Sequence, residues 1–113
     1  MRTRNRRRQE LRRAEVFVEG VLAGVLEETE RGRKYLFRYE EQYTGRPVSL
    51  AMPTSKRENV YETFPPFFDG VLPEGVMLEA LLKQRKIDRD DLFAQLVAVG
   101  EDLVGAVSVR EST

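Results

Sequence analysis

Through the first half of the chain apolar residues alternate with polar ones, and through most of the second half they recur at helical spacing. Val16 and Val18 alternate with Phe17 and Glu19, Gly20 permits a tight reversal, and Val21 to Glu28 runs back, which predicts a β-hairpin. Gly24 interrupts the returning strand and predicts a bulge or a close backbone approach there. After a turn at Arg31-Gly32, the segment Arg33 to Tyr39 places Tyr35, Phe37 and Tyr39 on one side and Lys34, Leu36 and Arg38 on the other. This is the pattern of a half-buried strand with an aromatic face. Glu40, Glu41, Tyr43 and Gly45 form a short acidic connection, Val48 to Met52 reads as a short edge strand between Pro47 and Pro53, and polar Thr54 to Thr63 reads as a loop.

The two halves meet at Phe64-Pro-Pro-Phe-Phe-Asp-Gly-Val-Leu-Pro-Glu-Gly75. Three prolines remove backbone donors and set φ, so the stretch predicts a compact bend with one helical turn opened by Pro65 and Pro66. Phe67, Phe68, Val71 and Leu72 then share an inward side. Pro73 or Glu74 opens a helix running to about Lys86, with Val76, Met77, Ala80 and Leu81 as its apolar stripe and Lys83, Arg85 and Lys86 near its basic end. Asp88, with Asp91 three positions later, predicts the cap of a second helix with a stripe of Leu92, Phe93, Leu96 and Val97, stopped by Gly100. Leu103 to Val109 returns to alternation and predicts a last strand. The expected fold is α+β: a small, mostly antiparallel sheet of four or five strands with two or three helices packed on one face.

At 113 residues the chain has room for one small core, and no apolar run approaches the length that crosses a membrane. The sequence contains no cysteine and no histidine, so it has no disulfide, no thiolate ligand, and neither the commonest metal ligand nor the commonest general base. Formal net charge is zero but unevenly spread. Residues 1–14 carry Arg2, Arg4, Arg6, Arg7, Arg8, Arg12 and Arg13 against Glu10, a charge of +6; residues 15–113 carry 12 basic and 18 acidic side chains, a charge of −6. The expected organisation is therefore an Arg-rich arm over 1–14 and a folded domain over 15–113. The arm lacks the hydrophobic segment of a secretory signal, which makes a cytoplasmic location the expectation.

Little in the chain has the spacing that chemistry needs. Gly20 and Gly24 are not followed by the Lys-Ser and helix opening of a phosphate loop, and the acidic pairs Asp90-Asp91 and Glu101-Asp102 do not fit a calcium loop. Ser49, Thr54 and Ser55 have hydroxyls able to accept a phosphoryl group, as exposed loop hydroxyls commonly do. A kinase would need a glycine-rich phosphate cover with its lysine, a catalytic aspartate and a metal-binding aspartate, and no such set is found. No catalytic residue, metal or cofactor is expected.

Three segments together carry a family resemblance: Arg46-Pro-Val-Ser-Leu-Ala-Met-Pro53, the bend Phe64 to Gly75, and Asp91-Leu-Phe with Val99-Gly-Glu-Asp-Leu-Val-Gly-Ala-Val107. In order and spacing they resemble the N-terminal subdomain of HipA-type serine/threonine kinases, over about Val16 to Val109. The resemblance implies a domain that in those kinases is fused to a catalytic core. A separate copy is similar to the small, HipS-like component of a split, three-gene toxin–antitoxin system, which binds a separate kinase toxin and neutralises it. It implies a HipA-type kinase as partner, with a DNA-binding third component of the same system as a further one. The Arg-rich arm lies outside the resemblance.

Two surfaces are candidates for recognition. Tyr61, Phe64, Pro65, Phe67 and Phe68 form the candidate partner-binding set; Phe64, before the two prolines, is expected to point outward, with Tyr61 second, although core packing is the commoner use of such aromatics. The arginines of the arm, with the Tyr35-Phe37-Tyr39 strand, make the alternative of a nucleic-acid-binding module, by phosphate neutralisation and base stacking. The plain readings are a solvated tail and a core strand. A structural remnant of a once-fused kinase is the third reading.

Overall fold

The structure, a computed structural model, describes residues 11–103 and 105–112. Five strands form one antiparallel sheet: β1 (Arg12–Val18), β2 (Val21–Glu30), β3 (Lys34–Tyr39), β4 (Glu58–Tyr61) and β5 (Val107–Glu111), in the order β4-β3-β2-β1-β5. The helices are α1 (Pro66–Gly70), α2 (Gly75–Arg85) and α3 (Leu92–Val99), the last continued by a 3-10 turn, Gly100–Asp102. The α+β expectation holds in strand number, pairing and helix count.

The pleat decides which residues meet. Across the sheet Asn59, Phe37, Leu26 and Ala14 lie in register, as do Tyr61, Tyr35, Glu28 and Arg12, and Tyr39, Gly24, Val16 and Val109. All of these rows face inward. Phe64 and Phe68 from the bend and Phe93 and Leu96 from α3 close over them, so that Phe37, Phe68, Phe93, Leu26 and Leu96 are fully buried. Gly24 sits where the β1–β2 register shifts, and a Cβ there would lie 2.5 Å from the Arg38 carbonyl oxygen. The interrupted strand thus has both the bulge and the close approach.

Several boundaries differ from the expectations. The sheet begins at Arg12, not Glu15, because Arg12 and Arg13 stand opposite Glu28 and Glu27 and form ion pairs across the ladder at 2.7 and 3.0 Å. The polar stretch Thr54 to Thr63 contains β4, since the open edge of β3 supplies hydrogen-bonding groups that local propensity does not register. Val48 to Met52 is not a strand but a turn in which the Met52 amide donates to the Ser49 carbonyl at 2.9 Å. Its stems are held from below. The Tyr39 hydroxyl accepts from the Val48 amide at 2.9 Å and donates to the Met52 carbonyl.

At α3 the cap is Asp91, whose Oδ1 accepts from the Ala94 amide at 3.1 Å; Asp88 instead closes the preceding turn through its carbonyl. Gly100 ends α3 with helical rather than left-handed geometry. Its hydrogen side chain is required by packing, because a Cβ would fall 2.0 Å from the Val109 carbonyl oxygen. That contact brings the end of α3 against β5, which starts at Val107 rather than Leu103. The stripe expected for α2 also differs: no residue of this helix is buried, and Val76 and Met77 are 83% and 71% exposed. Its N-cap, Glu74, makes no side-chain cap bond, while the basic end, with Lys83 and Arg85 in the last turn, is as expected.

Candidate partner interface

The bend divides its aromatics between core and surface by geometry that starts at Pro65. With φ of −57° and ψ of 130° Pro65 is extended, and Pro66 then enters α1 at its first position, where a missing amide costs nothing. This corner drives Phe64 down onto the sheet, its ring edge-on to Tyr35 at 5.2 Å. Phe64 is buried, as is Pro65, so the expectation that Phe64 points outward is corrected. Phe68, one helical turn later, is fully buried and meets Phe37 at 6.2 Å, which corrects its place in the candidate binding set as well.

Tyr61 and Phe67 keep accessible surface. Tyr61 lies on the edge strand opposite Tyr35 and is half-buried, with its phenol pKa pushed up by that burial. Phe67 packs edge-on to Phe68 at 5.2 Å and turns its other side to an open groove of about 260 Å³. Phe67 of α1 and Val71 just after it form one wall, Pro47 and Val48 a second, and Leu103 and Val107 a third. The chain passes from Val71 to the exposed Val76 and Met77 within six residues. Partly or fully exposed apolar side chains thus stand on both sides of the buried Leu72, at Phe67 and Val71 before it and at Val76 and Met77 after it. Sequence reasoning missed Val76 and Met77, because a stripe at helical spacing reads the same whether the core or a partner covers it.

The nucleic-acid set fares differently. Tyr35, Phe37 and Tyr39 are buried, so no base can stack on them. Arg2, Arg4, Arg6, Arg7 and Arg8 lie outside the described residues. Arg13 is paired with Glu27. Arg12 is committed to the fold: Nε and Nη2 donate to Glu28 at 2.7 and 2.9 Å, Nη1 and Nη2 donate to Asp91 at 3.1 and 3.0 Å, and the guanidinium stacks 4.9 Å from the Phe93 ring centre. Its assignment to a phosphate-binding arm is corrected by these contacts, which join β1, β2 and the N-terminus of α3.

Burial works to raise the pKa of Asp91, but hydrogen bonds from Arg12 and the Ala94 amide outweigh it and hold the carboxyl below its ordinary value. A depressed folded pKa contributes stability above the unfolded value, about 3.9, and that contribution is lost as pH falls through the folded value. Urea midpoints measured from pH 7 to pH 2.5 are expected to fall less steeply for Asp91→Asn, which retains capping ability, than for the parent. Parallel curves would remove Asp91 from the acid response. Among the described residues there is no group of three or more acidic side chains placed to hold a metal ion.

Residues 14–110 match the family model described as the HipA N-terminal domain. An uncharacterized protein of Haemophilus influenzae is 34% identical over 101 residues, a match spanning 89% of this chain and 93% of that protein. Among solved structures, one described as the N-terminal domain of HipA toxin is 30% identical and superposes with a TM-score of 0.70, covering 90% of this chain and 93% of that one.

Proposed function

The chain belongs to the HipA N-terminal domain family, and from that premise we propose that it is a non-catalytic antitoxin that binds and neutralises a separate HipA-type kinase. The observation that carries this reading is the domain's exposed apolar surface: the open groove beside Phe67, and Val76 and Met77 in the first turn of α2. In a fused kinase the resemblance implies that a catalytic core adjoins this domain. A kinase lacking its own copy would offer the complementary surface. The Haemophilus influenzae relative, 93% spanned by this chain, is itself little longer than the domain, in keeping with a family member that acts on its own.

The mechanism is occupancy. The domain docks where a fused copy would sit, favours a conformation of the kinase in which catalysis is blocked, and shifts the equilibrium by its differential affinity for that conformation. Nothing in this requires chemistry from the antitoxin, whose sequence holds neither histidine nor cysteine. The test is reconstitution. Purified chain mixed with a HipA-type kinase from the same organism is expected to form a stable complex, to suppress the kinase's phosphoryl transfer, and to restore growth of cells expressing the kinase. By itself the chain is expected to transfer no phosphate from ATP. A folded chain that neither binds nor suppresses the kinase would refute the reading.

A further inference from the structure

The turn Ser49-Leu50-Ala51-Met52 is mounted on the core with unusual firmness for a surface loop. Both stems are buried, Val48 and Met52, and both are tied to the hydroxyl of Tyr39. Tyr39 is itself buried, stacked on Tyr43 at 5.9 Å and edge-on to Phe37 at 4.9 Å. The Ser49 side chain closes the turn a second time, its Oγ accepting from the Ala51 amide at 3.1 Å. At the tip of this rigid mount stands Leu50, 95% exposed.

Turn tips favour Gly, Pro, Asn, Asp and Ser for backbone reasons, and a leucine there supplies neither a special φ nor a hydrogen bond. Leu50 adds no core packing either. A branched apolar side chain held in water on a fixed backbone loses little entropy on docking, since the loop is ordered before the partner arrives. The position also adjoins the candidate interface, because Pro47 and Val48, three and two residues before Leu50, form a wall of the Phe67 groove.

We propose that Leu50 is a preorganised anchor that inserts into an apolar socket on the kinase, beside the surface covered by Phe67 and α2. This rests on the function proposed above. The occupant is a pocket lined by aliphatic or aromatic side chains on a folded partner, since a single branched side chain on a stiff turn fits a concave apolar site.

The experiment measures affinity for the catalytically inactivated kinase by calorimetry, with thermal unfolding in parallel. Leu50→Ala is expected to keep the parent's unfolding midpoint and to bind about 10- to 100-fold more weakly, the range that burial of one leucine side chain supplies. Leu50→Met, which retains the volume, is expected to bind within a few-fold of the parent. A Leu50→Ala chain that binds as tightly as the parent overturns the anchor and leaves the antitoxin function standing. A parent chain that does not bind the kinase overturns both. Equal weakening by Leu50→Ala and Leu50→Met, with unchanged folding, would overturn the socket, because it would show that volume at this position is not what the kinase reads.

Discussion

Replacing Arg12 with alanine is expected to lower the unfolding free energy by about 3 to 5 kcal/mol, because the change strands a carboxylate in the core. Glu28 has a side chain 1% exposed, and Arg12 supplies two of the hydrogen bonds its oxygens accept. What would remain is the Gly32 amide at 2.9 Å and the Arg31 guanidinium at 3.9 Å, neither of which reproduces a bidentate pair. Asp91 would lose the same partner at the cap of α3. Arg13→Ala provides the comparison: Arg13 is mostly solvent-exposed and pairs with Glu27, so its loss should change stability by less than about 1 kcal/mol.

Urea unfolding of the two single variants, and of Arg12→Met combined with Glu28→Leu, separates the effects. The double variant removes both charges from the inner face and is expected to recover most of the loss. If Arg12→Ala proves as mild as Arg13→Ala, water reaches Glu28 and the junction of β1, β2 and α3 is not closed.

The second large effect distinguishes two neighbouring phenylalanines. Phe68→Ala is expected to lower stability by about 3 to 5 kcal/mol, a large part of what a domain of this size possesses, since its ring is fully buried against Phe37. Phe67→Ala is expected to remain folded and to weaken kinase binding by about 2 kcal/mol, or roughly 30-fold, because the half-buried ring forms a wall of the open groove. Thermal unfolding and calorimetric titration of both variants give the comparison. A Phe67→Ala chain that folds and binds like the parent would move the interface away from the groove, leaving Met77 and Val76 on α2 as the next surface to substitute. Phe64→Ala is unsuited as a binding probe. With Phe64 buried against Tyr35, its truncation opens a cavity, and any loss of binding would follow from loss of folding.

Local periodicity along the chain is enough to specify part of the fold. In β1, β2 and β3 the pleat sends successive side chains to opposite faces, so Val16, Val18, Tyr35, Phe37 and Tyr39 could be assigned to the core once the strands were recognised. The bend at Pro65-Pro66 and the helix carrying Phe93 and Leu96 follow from residues close in the chain, and the family from three such segments read in order. The remaining features emerge on folding, because each depends on groups far apart in sequence. Arg12 reads as one more arginine of a basic arm until Glu28, 16 residues away, and Asp91, 79 residues away, are brought around it. Strand β4 looks like a polar loop until the open edge of β3 is there to pair with it. Phe64 turns in and Phe67 turns partly out because of the angle at which the bend meets Tyr35 and Phe37. Val76, Met77 and Leu50 have the residue types of a core and stand in water, since hydrophobicity along a chain records that a side chain is suited to burial and not which molecule will bury it.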